Sequence, residues 1–380
     1  MIPGLIIPPK CARHGLSSLL LAVSLALARA TAATPSTGTA SPWNWQDART
    51  LAMEGKGWTN TASFYDRLPG AAQPLVRPDV WNLSQDSAGM AVHFTTDATT
   101  IAARWSLRRS NLAMPHMPAT GVSGVDLYVR EAGHWRWLAN GRPEKTNEER
   151  VLVRGLPPGT REYLLYLPLY NGVNAVSVGV PEGSTLAAVS RTRSNARPIA
   201  FYGTSIVQGG CASRPGLAYP AILGRRLDRP TLNLGFSGNA LSEPEVATLF
   251  AALDPAVFVL DPLPNMSAAQ VAERCEKFIL CLRAAHPTTP IVLVEHLHYA
   301  DDPFVESRRR RVQEANVELR KTYDRLRRAG QRKLYYVPAE KLIGTDGEAT
   351  VDGTHPTDLG FMRLADALEP TLRRALRSEP

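Results

Sequence analysis

Five short apolar runs in the second half of the chain limit its fold more than anything else in the sequence. They are Ile199–Tyr202, Thr231–Leu234, Ala256–Leu260, Ile291–Val294 and Leu334–Val337, and helical stretches separate them. Strands that are apolar on both faces and alternate with helices predict a parallel sheet covered on both sides. Each run passes at once into polar or Gly-rich residues. In open sheets of this kind, ligands sit beyond the carboxyl ends of the strands. The chemistry is therefore expected in those five segments, within a domain covering 197–380.

The first half reads differently. Short alternating runs recur at 89–94, 99–105, 125–130, 135–138, 163–167 and 175–180, broken by Gly, Pro, Asn and Asp. No helical period is evident, so an all-β sandwich or jelly roll over 43–190 is expected. All seven tryptophans (43, 45, 58, 81, 105, 135 and 137) fall there. Core or inter-domain packing accounts for most of them better than sugar stacking does.

At the N-terminus, Lys10, Arg13 and His14 precede an apolar stretch from Leu16 to Ala28, and Ala28-Arg29-Ala30 has the form of a cleavage site. This is the layout of a signal peptide over 1–30, which implies secretion or a periplasmic location. An uncleaved anchor is the alternative, although the stretch is short for a membrane span. Residues 31–42, rich in Ala, Thr, Ser and Pro, read as a disordered linker. The whole chain carries a formal charge of +8; without the three basic residues of the first 30 it carries +5. That mild excess is no nucleic-acid footprint. The run Arg308–Arg311, with acidic residues interleaved beyond it, reads as a solvated helix face. Nothing beyond the leader is apolar enough for stable membrane insertion, and oligomeric state is not legible.

The polar segments after the five runs hold a recognisable set. Ser205 follows the first, in Gly203-Thr-Ser205-Ile. Asn233-Leu-Gly235-Phe-Ser-Gly-Asn239 ends the second, and Pro264-Asn265-Met ends the third. Glu295-His-Leu-His298 follows the fourth, and Asp352-Gly-Thr-His355-Pro comes after the fifth. A serine hydroxyl needs a base to become a nucleophile, and the imidazole needs a third group to fix its tautomer. Pro356 biases His355 away from helical dihedrals, so Asp352 and His355 can meet across a turn. The α/β-hydrolase pattern Gly-x-Ser-x-Gly is absent, because residue 207 is valine.

In order and content these blocks resemble the SGNH, or GDSL, esterase/lipase family over about 197–376. The first half resembles the N-terminal domain of one branch of that family, through Gly124-Val-Asp126-Leu-Tyr128 and Leu167-Pro-Leu-Tyr170-Asn-Gly172. The resemblance implies a three-layer, flavodoxin-like α/β catalytic domain. It also implies Ser205 as nucleophile, His355 as base and Asp352 as its partner. The oxyanion donors would be the backbone N–H groups of Ser205 and Gly235 and the Asn265 side chain. The implied activity is hydrolysis of short-chain acyl esters, with a small molecule or an acetylated polysaccharide as substrate and no cofactor. Acyl transfer to a hydroxyl, or glycan binding by an inactive hydrolase, are the alternatives.

Two further groups of residues stand apart. His296 and His298 would share a face if the fourth strand continued, but no third ligand lies at metal-site spacing, so a pocket lining or a polar loop is the expectation and no metal is assigned. Cys275 fits an apolar helical stripe with Val271, Phe278 and Leu282. Cys281 lies on the same helix, and Cys211 could pair with either, which leaves disulfide connectivity open.

Overall fold

The computed structural model describes residues 42–189 and 196–377. The expected leader, nearly all of the 31–42 linker and Cys11 lie outside the described residues.

The first half holds two antiparallel sheets. One orders Trp43–Asp47, Val173–Pro181, Ile101–Leu107 and Asn147–Val153. The other orders Leu186–Ala188, Ala91–Thr96, Arg161–Tyr166, Val125–Glu131 and His134–Gly141, with Ala52–Glu54 also pairing to Ala91–Thr96. Ile101, Ala103, Trp105 and Val178 of one sheet share a core with Val92, Phe94, Leu127 and Leu165 of the other. All six anticipated strands are present. The four additional ones are edge or short strands. Asn147–Val153, for example, opens on Asn-Glu-Glu-Arg and keeps its polar side in solvent, which erases the apolar alternation. Two short helices, Pro78–Ser84 and Ala119–Val122, depart from the all-β expectation. The first has Pro at its start and buries Val80 and Trp81, but at seven residues it is too brief to show a period.

The second half contains β1 (Ile199–Gly203), β2 (Thr231–Gly235), β3 (Val257–Asp261), β4 (Ile291–Val294) and β5 (Leu334–Val337), all parallel in the order β2-β1-β3-β4-β5. Side chains alternate across the sheet. Tyr202, Leu234, Phe258 and Leu293 meet helices α3 (Pro244–Ala251), α4 (Ala268–Ala285) and α5 (Glu306–Arg328). On the opposite face, Phe201, Val257, Val259 and Val292 meet α2 (Tyr219–Arg226) and α6 (Asp358–Leu376). Full burial of each such side chain contributes about 1.5–3 kcal/mol, so both faces are strongly specified. On α4 the buried stripe is Val271, Cys275, Phe278, Ile279 and Leu282, as the spacing predicts. Most arginines of α5 do lie on a solvated face.

The register sets Gly203 level with both Gly235 and Asp261, so the segments leaving β1, β2 and β3 start from one edge. That edge lies where the strand order reverses between β1 and β3, the usual ligand position in this architecture. The two halves also share apolar cores. Leu68, Val76, Val80 and Trp81 pack with Leu232 and Phe250, and Met117, Val122, Leu169 and Tyr170 pack with Ile206 and Tyr219. No helix among the described residues is long and apolar enough to cross a membrane.

Candidate active site

Ser205 opens α1 (Ser205–Gln208), a single turn directly after β1. Thr204 caps it, its Oγ1 accepting the Ile206 N–H at 3.2 Å, and Gly209 closes it at φ +110°. Gly203 has to be glycine. A Cβ there would sit 2.3 Å from the Val207 side chain and 2.5 Å from the Asp261 carbonyl. The turn is therefore tight, and it leaves Ser205 mostly buried at 7% exposure.

Ser205 Oγ lies 2.9 Å from His355 Nε2. On the other side of the ring, His355 Nδ1 lies 2.7 Å from Asp352 Oδ2. Facing a carboxylate, Nδ1 carries the proton, which leaves the Nε2 lone pair toward the serine hydroxyl. Partial burial raises the Asp352 pKa, but the hydrogen bonds it accepts outweigh this and the net shift is downward. Those bonds come from the His355 N–H and imidazole and from the Thr354 N–H. The turn itself is braced: Val351 N–H donates to His355 O, Ala300 N–H donates to Gly353 O, and Arg308 Nη2 donates to Thr354 Oγ1 at 2.6 Å. Arg308 thus leaves the solvated face expected for its helix and supports the histidine turn. The sequence holds no signal that separates it from its neighbours.

The structure corrects one donor. The Gly235 N–H is already given to Asn233 Oδ1 at 3.1 Å, and Gly235 sits on the strand with Gln208 N only 2.2 Å from where a Cβ would be. Its glycine is required by close packing, and its amide is not available to an oxyanion. Further along the same segment, the Gly238 N–H has no hydrogen-bond partner among the described residues. Gly238 has φ +70° and open space on its Cβ side. The Ser205 N–H, at the first position of its helix, likewise has no partner among the described residues. Asn265 does not cap α4, since Ser267 does so with Gln270 in a capping box. Its Oδ1 instead accepts the Ala240 N–H at 3.2 Å, which turns the amide and leaves Nδ2 unbonded. Ser205 N–H, Gly238 N–H and Asn265 Nδ2 are thus three donors at the ends of β1, β2 and β3 that have no partner among the described residues.

Residues 43–186 match the model described as the N-terminus of SGNH-hydrolase-type esterases, and residues 196–373 match that of the GDSL-like lipase/acylhydrolase family. A GDSL-like lipase from Bacteroides ovatus ATCC 8483 is 34% identical with a TM-score of 0.84, and the match covers 88% of this chain and 98% of that one. This chain belongs to the GDSL-like lipase/acylhydrolase family. A salicylyl-acyltransferase from a tetracycline biosynthetic pathway shares the fold at 20% identity and TM-score 0.72, covering 88% of this chain and 98% of its own. So does an acetyl xylan esterase from the rumen bacterium Butyrivibrio proteoclasticus, at 12% identity and TM-score 0.57, covering 88% and 100%. No curated protein matches this chain.

In this family member the β-rich half reaches the hydrolase loops through its signature residues. Asp126 Oδ2 accepts Arg214 Nη1 at 2.8 Å and the Gly216 N–H at 2.9 Å, and the Tyr128 hydroxyl meets the same guanidinium. Burial raises the Asp126 pKa despite these partners. Tyr170 Oη donates to Ser205 O at 3.2 Å, bracing the nucleophile turn from behind. Arg67, fully buried, gives hydrogen bonds to the carbonyls of Leu83, Asp86, Asn233 and Gly235. Its pKa is lowered to about 10 by burial, so it stays charged at neutral pH. Gln208 joins the network, donating to Asp86 Oδ2 at 3.0 Å and accepting the Ser237 N–H at 3.1 Å. Nothing local in the sequence marks Arg67, Asp86 or Gln208.

His296 and His298 do not form a ligand pair. β4 ends at Val294, and His296 turns inward, with Nδ1 at 2.6 Å from Leu297 O and Nε2 at 3.2 Å from Tyr299 Oη. Burial lowers its pKa to about 4, so it is neutral in the physiological range. His298 pairs with Asp302 at 2.7 Å and lines a cleft of about 220 Å³ with Tyr299 and Glu340, not the Ser205 site. Cys211, Cys275 and Cys281 are free thiols. His116 went unremarked in the sequence, yet its ring lies 5.5 Å from that of His355.

Proposed function

We propose that this chain is an exported serine esterase that removes short acyl groups, acetyl groups on carbohydrate hydroxyls first among them. The observation that carries the reading is the continuous hydrogen-bond chain from Ser205 Oγ through His355 to Asp352, at 2.9 and 2.7 Å. In this reading 1–30 is a leader, 43–190 a supporting β-domain and 197–380 the catalytic domain. His355 Nε2 takes the Ser205 proton as Oγ attacks the ester carbonyl. The developing oxyanion is met by Ser205 N–H, Asn265 Nδ2 and Gly238 N–H, each donor being worth roughly 3–4 kcal/mol of barrier. His355 then hands its proton to the departing alcohol. Water, deprotonated by the same nitrogen, attacks the acyl-serine and frees the acid. Asp352 remains ionised and stabilises the imidazolium. Acetyl-carbohydrate chemistry is supported by the shared fold with the acetyl xylan esterase.

The test compares wild type with Ser205→Ala on p-nitrophenyl acetate. A loss of about 10⁴-fold or more is expected, and equal rates overturn the reading. Acetate release across acetylated polysaccharides then ranks the substrates. The fold shared with an acyltransferase favours a second reading, in which a sugar or other hydroxyl replaces water at the acyl-serine. Under that reading, added acceptor alcohols divert product from free acid to ester. Unchanged acid output at every acceptor concentration rules it out.

A further inference from the structure

Among the described residues, one group of three metal-ligating side chains converges, and it straddles the proposed catalytic centre. His116, Cys211 and His355 each place one ligand atom within 4.8 Å of the other two. They come from three separate segments. His116 stands exposed on the turn Met114–Met117, whose ends exchange backbone hydrogen bonds of 2.9 and 3.1 Å. Cys211 follows the nucleophile turn at φ +73°, a conformation that costs a non-glycine residue energy, and its thiol forms no disulfide. Of the two His355 ring nitrogens, Nδ1 faces Asp352, which leaves Nε2 as the atom a cation would take.

We propose that His116, Cys211 and His355 form an inhibitory site for a soft or borderline divalent cation such as Zn²⁺, which switches the esterase off by occupying His355 Nε2. The ligand set is two imidazoles and a thiolate, with a fourth position left for water, and zinc favours this set over magnesium or calcium. Tetrahedral coordination at normal bond lengths sets neighbouring ligand atoms about 3.4–3.6 Å apart. The three atoms, within 4.8 Å of one another, have to draw closer on binding, and His116 is the exposed one of the three. The orienting partner is already in place. Asp352 Oδ2 holds His355 Nδ1 at 2.7 Å, the carboxylate–histidine arrangement that fixes a metal-binding tautomer. The tautomer that serves the serine is therefore the one that binds a cation, and a single lone pair cannot do both. On binding, the Cys211 thiol gives its proton to solvent and sulfur bonds the metal; no redox step is involved.

The site itself stands on geometry, while the inhibitory consequence rests on the esterase reading. Two measurements keep them apart. In Ser205→Ala, titration with Co²⁺ reads binding without turnover: a thiolate-to-cobalt charge-transfer band is expected, and it disappears in the Ser205→Ala/Cys211→Ala double variant. In wild type, Zn²⁺ suppresses p-nitrophenyl acetate turnover and EDTA restores it. The half-inhibiting Zn²⁺ concentration, taken relative to each variant's own uninhibited rate, rises at least tenfold in Cys211→Ala and in His116→Ala. Absence of the cobalt band, or a half-inhibiting concentration unchanged in both variants, overturns the site. A band without any turnover to inhibit would overturn the esterase reading and leave the site standing.

Discussion

Arg67 offers the most demanding test of how the two halves of the molecule cooperate. Its guanidinium lies in the seam and donates to four backbone carbonyls at 2.6–2.9 Å, two on the Leu83–Asp86 segment and two at the end of β2. Charge-assisted bonds of this kind contribute about 1.5–3 kcal/mol each. Burying the cation costs several kcal/mol in return, so the four do not simply add. Arg67→Met deletes the cation, strands the carbonyls and leaves the buried Asp86 with Arg109 as its remaining cationic partner. Breaking a buried ionic network in this way is expected to cost about 3–5 kcal/mol. The assay is urea unfolding of wild type and variant, with the midpoint falling at constant slope. Arg67→Lys keeps the charge, but a compact ammonium cannot span four carbonyls as a planar fork does, so it should recover less than half of the loss. Because Asn233 and Gly235 anchor the segment that carries Gly238, the folded Lys variant should also turn over ester more slowly. A Met variant within about 1 kcal/mol of wild type would refute the claim that this buried cation holds the seam.

Removing the Asn265 amide with Asn265→Ala should lower kcat on p-nitrophenyl acetate by about 10²–10³-fold with little change in KM, the pattern of a donor used only in the transition state. A matched rise in KM at constant kcat would instead make Asn265 a substrate-binding residue. Asp261, buried at the end of β3 and accepting the Tyr219 hydroxyl at 2.9 Å, has its pKa raised from 3.8 to about 7 by burial. A folded state that holds this proton more tightly than the unfolded chain is most stable below the unfolded pKa. It loses that advantage as pH rises toward about 7. At about 1.4 kcal/mol per tenfold change in affinity, the penalty above neutrality is on the order of 4 kcal/mol. Asp261→Asn, which keeps the acceptor for Tyr219, should therefore raise the urea midpoint at pH 8 and not at pH 4. An equal change at both pH values would contradict this assignment.

The parallel sheet was legible because each of its strands is buried on both faces, and a continuous apolar run is the direct imprint of that burial. Burial likewise left its imprint in the apolar stripe of α4 and in five inner strands of the β-rich half, while the edge strand His134–Gly141 was marked by its two tryptophans and Leu138. The edge strand Asn147–Val153 left no imprint, since its polar side stays wet. Ser205, Asp352 and His355 could be read from spacing, because a turn of four residues brings the last two together and a strand-to-helix turn presents the first. Gly235 was misread because close packing and oxyanion donation ask for the same residue type. What separates them is whether Asn233 Oδ1 has already taken the amide, and that is a fact of three dimensions.

The linear chain, through local periodicity and turn chemistry, determined the five parallel strands with the helices between them, six strands of the first half and where the reactive groups stand along the sequence. Only the folded structure decided which distant groups meet. Arg67 reaches β2 across a separation of 166 residues, Tyr170 reaches Ser205 across 35, and the imidazole of His116 comes to rest beside that of His355. Such pairings are set by how two apolar cores pack against each other. Packing of that kind leaves no periodic trace in either partner's own stretch of sequence.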